Sequence, residues 1–409
     1  MTSDSEIAVQ VVPDHGFGIL ATLLRASHLA GPDDLPALTM LAGESLGARQ
    51  SVLYVVDYDQ AFLVPLRPAV MPPASAATPI AVDGTLAGLA YSESAQHSSI
   101  GPDTSTLWTP VLDGSERLGV LQLDFAAGFE VDDALRSACR DVASLLGELV
   151  VTRTLIGDSI EKARRRVPLT LPAEMQWRQL PPLTFLSPRV AIAGILVPTA
   201  EVAGDSFDYA MNDDTLHVAV IDAMGHGMEA TLLSAVAVST LRNARRAGVA
   251  LTAMVRAIDS AVSEQFGGDK FVTGIIGQLD VRSGWWTWVT CGHPAALLIR
   301  DGKVVKELDS VIGVPLGLGL LDCDPTVGAE RLQPQDRLLL FTDGVIEARD
   351  SQGDFFGNER LVEFVARQAA ASRPAAETLR RLNHAILDHQ QGSLQDDATT
   401  VIIEWLSDS

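Results

Sequence analysis

The chain has 409 residues, 47% of them hydrophobic and 20% charged, which fits core-forming globular protein rather than disorder. At roughly 100–200 residues per domain it is long enough for two or three domains. A formal net charge of −22, from 52 acidic against 30 basic residues, excludes the basic surface that nucleic-acid or anionic-membrane binding requires, and favours divalent cations or a basic partner.

Residues 1–15 read as a frayed acidic start without an apolar leader. From Gly16 to Gly47 the apolar spacing (Ile19, Leu23, Leu24, Leu29, then Leu38, Leu41 and Leu46) is helical. Ser51 to Val64 alternates as two strands around Asp57 and Asp59. A proline-rich loop, Pro65 to Pro79, precedes a short helix at Leu86 to Ser92. Strands at Ser105 to Val111 and Arg117 to Phe125 flank an Asp113-Gly114 turn. This order predicts a small sheet backed by helices. Phe129 to Arg166 reads as one helix, with Asp132 and Asp133 favouring its start. Its stripe of Leu135, Cys139, Val142, Leu146, Leu149, Arg153, Ile156 and Ile160 fits either a two-helix seam between subunits or a face packed on the sheet. The basic run Glu161 to Arg166 is expected to be a solvated linker face. The longest apolar runs, such as Val142 to Val151, fall short of a membrane span. Cys139, Cys291 and Cys323 form no CxxC pair, which fits a reducing cytoplasm and argues against a disulfide framework or zinc site.

After Val167 a helix bracketed by prolines, Leu171 to Pro182, marks a boundary. Strands are predicted at Val190 to Val197, Leu216 to Ile221, Phe271 to Leu279, Trp285 to Val289, Ala296 to Ile299, Leu338 to Phe341 and Thr399 to Trp405. Helices are predicted at Met228 to Arg246, Leu251 to Phe266, Glu359 to Ala371 and Ala375 to His389. Turns at Arg282 to Gly284 and Asp301-Gly302 favour antiparallel pairing, and helices that come in pairs between runs of strands predict two packed sheets flanked by helices. Trp285, Trp286 and Trp288 are expected to fill a sheet face.

Four aspartates carry the chemical signal. Asp205 lies in Gly204-Asp205-Ser206, just after the domain's first strand. Asp222 ends a strand before the turn Gly225-His226-Gly227. Asp343 follows a strand in Thr342-Asp343-Gly344, and Asp396, with Asp397 beside it, precedes the last strand. Only Arg349 is a nearby cation in these motifs. Like charges drawn together raise their pKa values or recruit cations, and Mg²⁺ or Mn²⁺ suits an all-oxygen donor set. Two such ions about 4 Å apart activate a water for attack on a phosphate ester. No GxxxxGK[ST] loop, DxDxT motif or Cys five residues before an Arg offers another route. His226 and His293 are general-acid candidates, but the favoured reading is that each imidazole fixes its own loop by hydrogen bonds. Glu201, Asp208 and Glu347 read as supporting or surface groups rather than ligands.

Residues 172–405 resemble the SpoIIE/RsbU-like branch of the metal-dependent (PPM-type) serine/threonine protein phosphatases. The phrases carrying the resemblance are MQWRQLPP, AEVAGDSFDYA, VAVIDAMGHGMEATLL, TCGHPAALLI, GVPLGLG, LLLFTDGVIEARD and QDDATTVII. The resemblance implies two divalent cations, Mn²⁺ or Mg²⁺, held by Asp205, Asp222, Asp343, Asp396 and the main-chain carbonyl of Ala223. It also implies a phosphorylated protein substrate of the anti-sigma-factor-antagonist type. The chain departs from that pattern with Ala203 before Gly204, Ser206 after Asp205, and Ala223-Met224, but no ligand is lost. Residues 16–152, through VDGTLAGLAYSES, TLWTPVLDG and ERLGVLQLDF, resemble a GAF domain, which implies a small-molecule or protein signal.

The expectation is therefore an α+β protein: a flexible start (1–15), a GAF-like sensor with an antiparallel sheet (16–152), a connecting helix (133–166) and an α-β-β-α sandwich phosphatase domain (167–409). It is expected to be a cytoplasmic homodimer that binds neither nucleic acid nor membrane. The alternative is a non-catalytic docking protein of a partner-switching pathway.

Overall fold

The computed structural model describes residues 16–67, 77–166, 168–197, 204–308, 313–321, 325–391 and 396–406. The expected start at 1–15, Glu201, Ala203 and Cys323 lie outside these residues, as does most of the proline-rich loop. The chain divides into two compact units: Met1–Asp113 with Arg117–Val167, and Gly114–Glu116 with Pro168–Ser409.

The first unit comprises α1 (Gly16–Ser27), α2 (Leu35–Ser45), β1 (Gln50–Val56), β2 (Phe62–Pro65), β3 (Ile80–Ala81), α3 (Leu86–Glu93), β4 (His97–Ile100), β5 (Thr104–Asp113), β6 (Glu116–Ala126), α4 (Asp133–Thr154) and α5 (Ser159–Arg164). Its six strands run in the order β3-β2-β1-β6-β5-β4, and the pairs β1–β2, β1–β6, β2–β3 and β4–β5 are antiparallel. Strand β1 shows why both faces are covered. Leu53 and Val55 enter a core built with α1, α2 and α4, while Tyr54 and Val56 enter a second core under α3.

One expectation for this unit is corrected and two are narrowed. The helix expected over Phe129 to Arg166 is two helices, α4 and α5, separated by residues 155–158. The chain there presses on the loop after α1: a Cβ on Gly157 would lie 2.4 Å from Pro32, and Arg153 donates to the carbonyls of Ala30 (2.7 Å) and Ser27 (2.8 Å). Of the two alternatives for the apolar stripe, the packed face is the one seen: Cys139, Val142, Leu146 and Leu149 are buried in the unit's own core, and Ile156 projects into solvent beyond the end of α4. The basic run is a solvated face only in part: Lys162 and Arg166 are exposed, yet the run also packs on the strands. Arg164 donates to the Val56 carbonyl (3.1 Å) and stacks on Tyr58 (4.7 Å), and Arg166 stacks on Phe62 (4.0 Å). The Tyr58 hydroxyl bonds Glu161, so α5 clasps the β1–β2 turn.

The second unit comprises α6 (Leu171–Gln179), β7 (Thr184–Leu186), β8 (Val190–Val197), β9 (Ser206–Asn212), β10 (Thr215–Ala223), α7 (Gly227–Arg246), α8 (Leu251–Phe266), β11 (Val272–Asp280), β12 (Trp285–Cys291), β13 (Ala296–Arg300), β14 (Lys303–Leu308), β15 (Gly328–Arg331), β16 (Arg337–Phe341), α9 (Asp343–Ile346), α10 (Gly357–Ala370), α11 (Ala375–His389) and β17 (Ala398–Trp405). One sheet runs β15-β12-β11-β10-β9 and the other β14-β13-β16-β17-β8-β7. Phe207, Val218, Val220, Leu298, Leu340 and Val401 meet in the core between the sheets, α7 and α8 cover the first sheet, and α10 and α11 cover the second. This is the expected α-β-β-α sandwich. The strict alternation of β12 sends Trp286 and Trp288 into the inter-sheet core, stacked at 6.4 Å, and leaves Trp285 46% exposed on the other face, so the three tryptophans do not share one face. Strands β7, β9, β14 and β15 were not foreseen. In β9 the buried side chains include Ser206 and Asp208, which hide the apolar alternation.

Candidate metal centre

The sandwich brings the ends of β9, β10, β16 and β17 to one edge. Asp205 lies after β8, as expected, and immediately before β9, and Asp343, two residues beyond β16, opens α9. Asp222 is the penultimate residue of β10, and Asp396 and Asp397 lead into β17. Two glycines allow these loops to close on one another. A Cβ on Gly204 would lie 2.5 Å from the Ala223 carbonyl oxygen, so that carbonyl is pressed beside Asp205. A Cβ on Gly344 would lie 2.0 Å from the Asp397 carbonyl oxygen and 3.5 Å from the Asp396 Cβ.

The carboxylates feel one another electrostatically. Burial, followed by repulsion from Asp222 and Asp397, pushes the Asp205 carboxyl well above the usual carboxylate range. Burial, followed by Asp343 and Asp396, pushes Asp222 up to about 7. Burial, with Asp397, Asp343 and Glu347 adding repulsion, pushes Asp396 up to about 6. Among the described residues, no lysine or arginine pairs with Asp205, Asp222, Asp343 or Asp396. The donors are all hard oxygens, which fit Mg²⁺ or Mn²⁺ rather than a thiolate-seeking metal. Among the described residues no three acidic, histidine or cysteine side chains close into a ready-made cage.

Polar neighbours fix these groups. The Thr342 hydroxyl donates to Asp205 Oδ2 (2.7 Å) and accepts from the Thr399 amide (3.0 Å), all out of solvent. Gln176 of α6 donates through Nε2 to the Asp205 carbonyl (2.7 Å) and to Asp397 Oδ2 (2.7 Å). Asp397 thus faces α6, while its amide donates to Asp396 Oδ1 (2.9 Å). Thr273 lies 3.4 Å from Asp222 Oδ2 and 3.2 Å from His293 Nδ1. His293 is 3% exposed, and burial pushes its ring down to about 4, so it is neutral. His226 is exposed at the start of α7. Asp208 is a structural group, buried between Arg242 (2.7 Å) and Arg245 (2.6 Å) of α7. Glu347 is exposed, and Arg349 stacks on Phe355 (4.2 Å). Gln176, Thr273 and Thr342 escaped sequence reasoning. A glutamine or threonine carries no charge to mark it, and only the tertiary fold shows what it faces.

Residues 212–406 match the family model described as Stage II sporulation protein E (SpoIIE). The chain is 22% identical over 213 residues to phosphoserine phosphatase RsbU of Bacillus subtilis, covering 52% of this chain and 62% of that protein. It is 23% identical over 264 residues to protein IcfG of Synechocystis, covering 58% of this chain and 39% of that one. The solved RsbU and RsbW domains of a Mycobacterium tuberculosis protein are 26% identical, cover 54% of this chain and 63% of theirs, and superpose with a TM-score of 0.48. The chain therefore spans less than two thirds of the length of these relatives.

Proposed function

We propose that the C-terminal unit, which belongs to the SpoIIE/RsbU-like branch of the metal-dependent protein phosphatases, hydrolyses phosphoserine or phosphothreonine on a regulatory protein. The observation that carries this reading is the set of mutually repelling carboxylates, Asp205, Asp222, Asp343 and Asp396, drawn to one edge with no basic partner among the described residues. These four, with the Ala223 carbonyl, would hold two divalent cations, Mn²⁺ or Mg²⁺. Bound there, such a pair supplies a water acidified to near-neutral pKa and positive charge opposite the phosphate oxygens. The chain's own work is positional. Thr342 orients Asp205, the Asp397 amide orients Asp396, and Gln176 ties both loops to α6. The net charge of −22 suits a substrate that presents a basic face around its phosphorylated residue.

The family of its relatives supports a phosphorylated anti-sigma-factor antagonist as substrate, and a GAF-like reading of the first unit makes that unit a sensor. Control would then enter through α6, whose Gln176 touches the Asp205 and Asp397 loops. The test uses the whole chain with p-nitrophenyl phosphate and a phosphoserine peptide, in Mn²⁺ or EDTA. Metal-dependent phosphate release is expected. No release in Mn²⁺, together with no Mn²⁺ binding by calorimetry, overturns the reading.

A further inference from the structure

We propose that Thr273 and His293 form a buried relay that positions Asp222, so that the imidazole acts on the carboxylate only through the threonine hydroxyl. This rests on the reading of Asp222 as a cation-holding group.

The relay begins in strand register. Asp222 on β10 and Thr273 on β11 are direct partners in the antiparallel pair, and directly opposed side chains stand on the same face, within about 5.5 Å at Cβ. The threonine hydroxyl is thereby aimed at the carboxylate, 3.4 Å from Oδ2. His293 arrives from another direction, on the turn after β12. Gly292 gives that turn a left-handed residue (φ +62), its amide donates to the Gly313 carbonyl (2.8 Å), and a Cβ there would lie 2.8 Å from Pro315. The ring is thus delivered by a loop with little freedom, and Nδ1 ends 3.2 Å from Thr273 Oγ1.

If this histidine served to fix its own loop, its ring would bond that loop. Its ring reaches out of that loop instead, to the Thr273 hydroxyl on β11 and to the backbone of Phe341 at the end of β16. Proton counting sets the direction. Thr273 has one hydrogen, and of its two neighbours the carboxylate is the stronger acceptor, because a charged acceptor makes the shorter and stronger bond. The hydroxyl therefore donates to Asp222 Oδ2, and its oxygen accepts from Nδ1–H, the single N–H of a neutral ring. The chain of donors points one way, toward Asp222, and pins one carboxylate oxygen so that the direction of the other is set. Thr342 does the same for Asp205 on the facing sheet, with a backbone amide in place of the imidazole.

Supporting groups behind metal ligands typically cost 10–100-fold in affinity or activity when removed. Mn²⁺ affinity of the whole chain by calorimetry, with the melting temperature in EDTA, tests the relay. Thr273→Val keeps the shape and removes the hydroxyl. It should weaken Mn²⁺ binding about tenfold or more, while Thr273→Ser, which restores the donor, returns most of the loss. His293→Leu should weaken binding in the same sense, and Thr273→Val with His293→Leu together should be no weaker than Thr273→Val alone. His293→Asn, which offers a side-chain N–H near Nδ1, covers the case in which the leucine variant fails to fold. Wild-type Mn²⁺ affinity in Thr273→Val, or full additivity of the two losses, overturns the relay. Absence of Mn²⁺ binding by the wild type instead overturns the catalytic reading on which it rests.

Discussion

Replacing Gly344 by alanine tests whether the loops at the carboxylate edge are held by direct backbone contact. The added Cβ would lie 2.0 Å from the Asp397 carbonyl oxygen, about 1 Å inside the closest approach that real Cβ atoms make. Neither side can yield by rotating a side chain, because the obstacle is backbone and the neighbouring Val345 is fully buried. Either α9 moves out with Asp343 or the 396–397 loop moves away with Asp396. Overpacking of this kind costs about 1–3 kcal/mol, and in a unit of this size each kcal/mol lowers the melting temperature by about 2–4 °C. A displacement near 1 Å at a reacting centre costs about 10²-fold in turnover, so activity should fall far more than stability. The assay pairs Mn²⁺-dependent hydrolysis of p-nitrophenyl phosphate, run well below the melting point, with thermal unfolding. Val345→Ala is the control: it opens a cavity in the outer core beneath α9 at a similar cost in stability but leaves the Gly344–Asp397 contact intact. Wild-type turnover in Gly344→Ala, or an equal loss in Val345→Ala, would refute the reasoning.

Three further outcomes are expected. In EDTA, Asp222→Asn removes one of the mutually repelling buried charges and should raise the melting temperature, while the stabilisation that Mn²⁺ gives the wild type is lost; a lower melting temperature in EDTA contradicts this. In the first unit, Asp57 is fully buried, its Oδ1 accepts from the Ala61 and Phe62 amides, and burial pushes its carboxyl upward. A raised carboxyl disfavours the folded anion, so the wild-type unit gains stability as pH falls from that raised value toward the ordinary carboxylate value. Asp57→Asn should therefore melt higher than wild type at pH 7 and lose that advantage through the same window, as calorimetry across pH would show. Arg164→Ala removes the bond to the Val56 carbonyl and the stack on Tyr58, and should destabilise the first unit by about 2–3 kcal/mol in thermal unfolding.

The parts of this protein that could be read from sequence are those whose signal is local. Leu216 to Ile221 is apolar apart from His217 and ends on an aspartate, and the structure makes it an inner strand of its sheet, between β9 and β11, with Asp222 at the edge. The paired helices at Met228 to Phe266 kept their apolar stripes and appear as α7 and α8. What could not be read depends on contacts between distant residues. The break between α4 and α5 is set by Pro32, more than a hundred residues away, and β9 carries the buried Asp208, whose partners Arg242 and Arg245 lie on α7. Basic residues 164–166 look solvated until the aromatic rings of Tyr58 and Phe62 are placed beneath them. Register, in the same way, turns Thr273 from an ordinary strand residue into the neighbour of Asp222.

The buried cysteines carry a separate consequence. Cys139 sits in the first unit's core and Cys291 under α7 and α8 in the second, and burial pushes both thiols up to about 12. Neither is a thiolate at neutral pH while its unit stays closed, so each can be alkylated only when that unit opens. Pulsed labelling read by peptide mass would therefore time the opening of the two units independently in one intact chain, and a signal that loosens the first unit would appear as faster loss of the Cys139 thiol before any change at Cys291.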